Sequence, residues 1–244
     1  MNEDTAPRAR CPPGGGLGYS PAAMPPSAPA KRAPRAAPTR TNDPERTTAN
    51  ILEVATHAFA DKGFDGARID EIAEAMHTSK RMIYYYFGSK EALYLAVLEG
   101  AYQRMRTAEA TLDLDALPPA KALEALVGFT HDYQLANPDF VRLVANENML
   151  HGAFLKQSKT IREQNASAIT TVQRVCERGV RDGVFRGDLD PIDLHMSISA
   201  LCFFNVANRY TFSLIFERGP TLPKSAIAKR RERIVEMVLR FALK

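Results

Sequence analysis

Cations and aromatic side chains cluster between residues 80 and 90, and their chemistry suits a nucleic acid. Lys80 and Arg81 can pair with phosphates or with guanine edges. The tyrosines that follow can reach phosphates through their hydroxyls and thymine methyl groups through their rings. Ile83 is the main apolar residue among them. A helix that needs one face for packing leaves its other side chains free, so the segment indicates a helix that enters a DNA groove.

The neighbouring residues predict a helix-turn-helix over 68–87. A short amphipathic helix at about 68–76 is followed by a turn of about three residues and a second helix at about 79–86. Ile83 is the expected anchor of the second helix, supported by Tyr84 and Phe87. The alternative is a plain helical hairpin whose tyrosines are half-buried. Two helices this short cannot bury a core alone, and the sequence supplies a capped helix on either side.

Caps and breakers divide the chain into nine predicted helices. Asp43 and Pro44 form a capped start, and Gly63 supplies a left-handed stop. No segment alternates apolar and polar residues as a strand would. The predicted helices cover about 44–62, 68–76, 79–86, 90–112, 118–136, 138–151, 154–182, 191–216 and 223–243. The expected fold is therefore all-α, with a three-helix N-terminal domain before a larger helical C-terminal domain.

The first 42 residues are rich in Pro, Ala, Gly and Arg and lack any periodicity, so we expect them to be disordered. The net charge of +4 comes entirely from the first 40 residues, because the rest carries equal numbers of basic and acidic side chains. The basic isoelectric point is therefore a property of the tail and not of the folded part. Two interpretations of the tail stay open: a mobile start without a role, or added contacts to DNA phosphates.

Several classes of protein and site find no support in the sequence. No apolar run could span a membrane, and no signal peptide is expected. The three scattered cysteines, Cys11, Cys176 and Cys202, show no disulfide or metal spacing, which favours a reducing cytoplasm. Carboxylate pairs beside a histidine, a phosphate-binding glycine loop and a nucleophile elbow are also missing from the sequence. We expect neither an enzyme nor a bound cofactor or metal.

Residues 51–98 resemble the N-terminal domain of the tetracycline-repressor (TetR) family. Residues 55–64 follow the family's Ala-x-x-x-Phe-x-x-x-Gly-Phe pattern, and an Ile-Ala pair stands at 72–73. Residues 79–93 follow its Ser-Lys-x-x-Ile-Tyr-x-Tyr-Phe-x-Ser-Lys-Glu-x-Leu order. The resemblance implies a repressor that binds palindromic operator DNA as a homodimer and is released by a small catabolite. After the tail at 1–42, it implies a DNA-binding domain at 43–88 and a sensing and dimerisation domain at 89–244.

The resemblance also implies which residues contact DNA. They are Arg68, Ser79, Lys80, Arg81, Met82, Tyr84, Tyr85, Tyr86 and Lys90. Three positions depart from the family pattern. Arg68 replaces a capping Thr, and Asp70 stands where the family often has an Arg, which removes one DNA contact. His77 replaces the Gly of the turn, so it must tolerate the left-handed conformation.

The C-terminal part is expected to dimerise and to bind the effector. Apolar stripes on the last two predicted helices suit a four-helix dimer bundle, and a purely internal core is the alternative. The interface residues expected are Leu201, Phe204, Ile234, Val238 and Phe241. The effector residues expected, unless they are surface groups or bonded to backbone, are His131, Tyr133, Arg142, Asn146, Asn148, Asn205 and Asn208.

Residues 137–148 are similar to the C-terminal domain of the subgroup of pyrimidine-utilisation and nicotinate-degradation repressors. That similarity implies a small nitrogen-containing or carboxylated effector. A rival hypothesis is a helical adaptor that binds another protein and no longer binds DNA. Asp70 favours it, as do the ten acidic against six basic residues between 41 and 100.

Overall fold

Ten α-helices are present in residues 43–217, 219 and 223–244, which are the residues that this computed structural model describes. They are α1 (Pro44–Gly66), α2 (Ile69–Ala75), α3 (Lys80–Phe87), α4 (Lys90–Glu109), α5 (Pro119–Ala136), α6 (Pro138–Met149), α7 (Lys159–Arg181), α8 (Pro191–Ala207), α9 (Arg209–Ile215) and α10 (Lys224–Ala242). Short 3-10 turns lie at Leu114–Ala116 and Leu155–Gln157. The all-α fold class is confirmed, and the tail expected at 1–42 lies outside the described residues.

The start of α1 follows the prediction, and its end differs. The Asp43 side chain accepts hydrogen bonds from the backbone N–H groups of Glu45 and Arg46, at 3.1 and 3.2 Å. Gly63 takes a left-handed φ of 70°. The helix resumes after this residue and reaches Gly66, so Gly63 kinks α1 where the sequence predicted a stop.

Three other predicted helices are shorter in the structure. The helix predicted at 154–182 begins only at Lys159, after the 3-10 turn at Leu155–Gln157. The helix predicted to reach residue 112 ends at Glu109, and the helix predicted at 191–216 is divided into α8 and α9. Asn208 separates them with φ −103° and ψ 10°, a conformation outside the helical range. Asn competes for backbone hydrogen bonds and is a weak helix former, which explains the break. The prediction of nine helices is therefore wrong by one.

Two apolar clusters form the core. The first joins Ile51 and Phe59 of α1, Ile72 of α2 and Ile83 of α3 to buried residues of α4, α6 and α7. The second joins α5, α7, α8 and α10 around residues such as Ile198. Because α4 packs on α1 and α3, and α6 packs on α1, a change in either can be passed to the helix-turn-helix. No helix within the described residues is long and apolar enough to cross a membrane.

Candidate functional site

The helix-turn-helix is built from α2, α3 and the turn between them. Ile69, Ile72 and Ala73 of α2 are buried in the first cluster. His77 takes a left-handed φ of 52° in the turn, at the position where the resemblance implies a glycine. The turn is therefore made with a residue that tolerates this conformation at some energetic cost.

One side of α3 packs and the other is exposed. Ile83 is buried, and Tyr86 and Phe87 pack partly against the first cluster. These residues lie three and four positions after Ile83, which puts them on its face of the helix. The prediction that Tyr84 supports Ile83 is wrong, because Tyr84 lies one residue further round the helix and is exposed.

The exposed side of α3 carries cations and aromatic rings. Lys80 and Arg81 are exposed, and the Tyr85 side chain is 79% exposed. The rings of Tyr85 and Tyr86 meet edge to face, with their centroids 5.2 Å apart. Met82 is partly buried. Four of the eight side chains of α3 are exposed and remain available to a groove, while the Ile83 face holds the helix; they are Lys80, Arg81, Tyr84 and Tyr85.

Three charged contacts lie within the helix-turn-helix or join it to α1 and α4. The Lys80 Nζ lies 3.2 Å from Asp70 Oδ1, so the departure at Asp70 faces the first residue of α3. Lys62 Nζ lies 2.6 Å from Glu71 Oε2, and this hydrogen bond lowers the pKa of Glu71. The third contact is the ammonium of Lys90, which lies 4.7 Å from the Phe64 ring centroid.

Two capping positions have free side chains. Arg68 and Ser79 precede α2 and α3, and within the described chain neither side chain makes a capping hydrogen bond. Both are exposed. Ser89 by contrast caps α4 through a hydrogen bond from the backbone N–H of Ala92 at 3.1 Å. Arg68 therefore caps poorly, as its type predicted, and keeps its guanidinium for another partner.

Asn146 and Arg142, which were expected to bind the effector, connect α6 to α1. Asn146 Nδ2 donates to the carbonyl oxygens of Phe59 and Ala60, at 3.1 and 3.4 Å. These carbonyls lie just before the Gly63 kink in α1. Arg142 Nη1 lies 3.6 Å from Asp61 Oδ1. Both side chains are thus used at the junction with the DNA-binding helices.

The other expected effector residues do not converge on one place. Asn205 and Asn208 line a cavity of about 470 Å³ between α8, α9 and α10. Asn148 is exposed and donates to the Val144 carbonyl of its own helix. His131 is buried on α5, and its Nδ1 lies 2.9 Å from Asp132 Oδ1. Tyr133 is half-buried on α5, beside Phe140 of α6.

The interior also contains an ion pair that the sequence reasoning missed. Arg106 Nη1 lies 2.5 Å from Glu109 Oε2, and the two side chains are 11% and 9% exposed. Burial raises the pKa of Glu109, and the Arg106 charge opposes that rise. Burial lowers the pKa of His195, and the charge of Arg106 adds to that effect.

A sequence signal for this pair existed. Leu98, Ala101, Met105 and Glu109 are all buried, and they follow one another at spacings of three and four. Glu109 therefore continues the apolar stripe of α4. A carboxylate at such a position needs a buried partner, and Arg106 stands one turn earlier.

The expected interface residues divide into two groups. Ile234 and Val238 lie in the second cluster of their own protomer, which favours the internal-core alternative for these two residues. Phe204 and Phe241 keep roughly half of their surface exposed, and Leu201 is partly buried. The helix α9 adds exposed apolar side chains, among them Phe212 and Leu214. An apolar surface of this kind is typical of a protein–protein interface.

Comparison with known proteins agrees with this geometry. Residues 51–97 match the family model of bacterial regulatory proteins of the tetR family, and residues 119–238 match that of the tetracyclin repressor-like C-terminal domain. The HTH-type transcriptional repressor NicS of Pseudomonas putida is 39% identical over 174 residues, which cover 71% of this chain and 82% of NicS. The HTH-type transcriptional repressor SCO4008 of Streptomyces coelicolor is 36% identical over 141 residues, or 57% of this chain and 69% of that protein.

Solved structures show the same fold. The ketosteroid transcriptional regulator KstR2 of Mycobacterium tuberculosis superposes with a TM-score of 0.63 at 19% identity, over 84% of this chain and 97% of KstR2. A bacterial regulatory protein in the tetR family from Rhodococcus RHA1 gives a TM-score of 0.64 at 20% identity, over 80% of this chain and 96% of the other. At these identities the likeness concerns the fold alone.

Proposed function

The chain belongs to the TetR family of bacterial regulatory proteins, and we propose that it is a cytoplasmic repressor that binds palindromic operator DNA as a homodimer and is released by a small molecule. One observation carries the DNA-binding part. On α3, Ile83 is buried while Lys80, Arg81, Tyr84 and Tyr85 are exposed. A helix of this kind fits the major groove, where its cations meet guanine edges and phosphates.

Contacts to the DNA backbone would come from the edges of this surface. Lys90 stands in the first turn of α4, whose N-terminal N–H groups also favour a phosphate. Arg68 and the Ser79 hydroxyl, whose side chains cap no helix, are placed to bond phosphates. Such contacts add affinity without sequence preference, whereas Arg81 and Met82 are expected to select the bases.

Dimerisation follows from the geometry of the operator. One α3 reads one half-site, and a palindrome presents its second half-site about 34 Å along the duplex or a multiple of that. We assign the subunit contact to the exposed apolar side chains of α8, α9 and α10, such as Phe204, Phe212 and Phe241. Ile234 and Val238 stabilise α10 against its own protomer and leave its other face for the partner.

Release is expected to run through α4 and α6. The helix α4 begins at the helix-turn-helix and ends at the buried Arg106–Glu109 pair. The helix α6 is joined to α1 by the hydrogen bond from Asn146. It is also joined by a contact of 2.5 Å between His57 Nδ1 of α1 and Asp139 Oδ2 of α6. A ligand that favours one arrangement of these helices would change the spacing of the two α3 helices. The relatives NicS and SCO4008 are named repressors, which supports the same sign of regulation here.

A mobility-shift experiment with the DNA upstream of the chain's own gene tests the DNA-binding part. The wild-type protein should retard this DNA, with an affinity that falls steeply as salt rises. The triple variant K80A/R81A/Y85A should lose at least about tenfold in affinity, since it removes a base contact and two further groups. The matched control is K159A, an exposed lysine on α7. Unchanged affinity in the triple variant would refute the assignment of α3, and no retardation by the wild type would favour the protein-binding adaptor.

A further inference from the structure

Four aromatic rings from three distant segments pack together beside the first turns of α4. Phe59 and Phe64 come from α1, Tyr94 comes from α4, and Phe154 comes from the segment between α6 and α7. The Phe64 ring centroid lies 5.3 Å from that of Tyr94 and 4.5 Å from that of Phe154. The Phe154 and Tyr94 centroids are 4.9 Å apart. Rings at these distances are in direct contact, so a displacement of Phe154 is passed to Phe64.

The ammonium group of Lys90 rests on this aromatic group. Its Nζ lies 4.7 Å from the Phe64 ring centroid, which is within the range of a cation–π contact. Lys90 and Tyr94 are four residues apart on α4 and therefore share one face of that helix. Lys90 is half-buried, whereas the three other cations assigned to the DNA interface are exposed. The rings thus hold Lys90 in a way that the exposed cations are not held.

Phe154 is held in the aromatic group by Glu147, near the end of α6. The backbone N–H groups of Phe154 and Leu155 donate to Glu147 Oε1, both at 2.8 Å. The N–H of Gly152, which takes a left-handed φ of 68°, donates to the Glu147 carbonyl oxygen at 2.9 Å. The Glu147 side chain is buried. Because three hydrogen bonds converge on one residue of α6, the corner between α6 and α7 (residues 150–158) must move with the end of that helix.

We propose that Phe154 is a positioning residue for Lys90, through which the α6–α7 corner controls one phosphate contact of the DNA-binding surface. Glu147 holds Phe154 against Phe64, and the Phe64 ring in turn holds Lys90. This route joins the end of α6 to a DNA contact without passing along α4. The inference rests on the proposed function, because it requires that Lys90 binds a phosphate.

A lysine that is already held should bind a phosphate more tightly than a free one. A lysine side chain loses rotamer freedom when its ammonium is fixed, and a contact with a ring removes part of that freedom before DNA arrives. The ring takes up one side of the ammonium, and the remaining N–H groups can bond a phosphate at the N-terminus of α4. A cation–π contact at such a site changes an equilibrium constant by about two- to fivefold. This range sets the expected effect of displacing the Phe64 ring.

Fluorescence anisotropy of the full-length protein, with labelled operator and with unrelated DNA at several salt concentrations, tests the route. Phe154→Leu removes the ring and keeps an apolar side chain. It should weaken the binding of both DNAs by about two- to fivefold per half-site, because a phosphate contact carries no sequence preference. The slope of log K against log salt should become shallower by up to about 0.9 per half-site. An unchanged affinity or an unchanged slope would overturn the proposal.

Phe129→Leu is the matched control for the loss of a ring. Phe129 is a half-buried phenylalanine of α5, and its ring packs against Tyr133 with the centroids 5.6 Å apart. This variant should leave the affinity and the salt slope as they are in the wild type. A loss equal to that of Phe154→Leu would show that any weakened packing lowers DNA binding, and it would overturn the specific role of Phe154.

A double variant separates an effect through Lys90 from general damage to the fold. If Phe154 acts through Lys90, F154L/K90A should bind DNA no more weakly than K90A alone. Losses that multiply would overturn the proposal, because damage to the fold would persist after Lys90 has been removed. Phe64→Leu should reproduce Phe154→Leu, both alone and combined with K90A. Urea unfolding checks that each variant is folded, and Phe154→Met, which is closer in volume to the wild type, replaces a leucine variant that is not.

The same titrations distinguish failure of this route from failure of the proposed function. A wild type that binds no DNA refutes the regulator itself. A wild type whose affinity falls with K90A but not with F154L refutes the role of Phe154 alone.

Discussion

Asp70 should reduce the affinity of this protein for all DNA, and Asp70→Asn should therefore bind DNA more tightly. The carboxylate lies 3.2 Å from the Nζ of Lys80, the first residue of α3. In the free protein it neutralises a cation that we assign to the DNA interface. In the complex it stands close to phosphates of the same sign. Removing its charge frees Lys80 and ends this repulsion.

The size of the effect follows from the distance and the exposure of the pair. Two unit charges 3.2 Å apart attract with about 1.3 kcal/mol in bulk water. Both side chains are mostly exposed, at 62% and 73%, and exposed pairs are measured at about 0.2–1 kcal/mol. The gain in affinity should thus be at most about fivefold. Neutralising one more phosphate should steepen the slope of log K against log salt by about 0.9.

Fluorescence anisotropy with labelled operator and with unrelated DNA, at several salt concentrations, measures both quantities. Glu74→Gln is the matched control, because it removes one exposed carboxylate from the same helix α2. Asp70→Asn should raise the affinity for both DNAs by a similar factor and so leave their ratio nearly unchanged. Weaker operator binding with an unchanged salt slope would refute this reasoning and would show that Asp70 orients Lys80 for a base.

Three further variants test the fold, the dimer and the interior. His77→Gly should raise the free energy of unfolding by about 0.5–1 kcal/mol, because glycine relieves the left-handed strain at φ 52°; a lower midpoint in urea would contradict this. Phe204→Glu should shift the protein toward monomer in light scattering and weaken operator binding, and an intact dimer would remove α8 from the interface. Burial lowers the pKa of His195, so the unfolded state binds its proton more readily and stability should fall as pH drops below about 6.5. In urea titrations at several pH values, the stability of His195→Gln should depend less on pH. An unchanged pH dependence would show that groups other than His195 cause it.

The sequence was sufficient for the family and for most of the helix-turn-helix. The positions of α2 and α3 and the buried Ile83 follow from periodicity and breakers, which act between residues close in the chain. The left-handed conformation of His77 was expected from the resemblance, which implies a glycine at that position. The prediction that Tyr84 supports Ile83 failed because adjacent residues of a helix point in different directions. Tyr86, three positions after Ile83, shares its face and packs against the first cluster.

The partners of the polar side chains in the C-terminal part could not be predicted, because they come from segments distant in the sequence. The sequence suggested that Asn146 binds the effector. Its side-chain amide instead donates hydrogen bonds to carbonyl oxygens of α1, more than eighty residues away. The neighbourhood of Arg106 is assembled from α4, α5, α7 and α8, and no pattern within one helix shows which of these turns will meet. By itself the sequence determined the periodic helices and the exposed face of α3, because capping and periodicity are local. Only the tertiary structure decided which polar groups are buried together, because burial depends on how helices far apart in the chain pack.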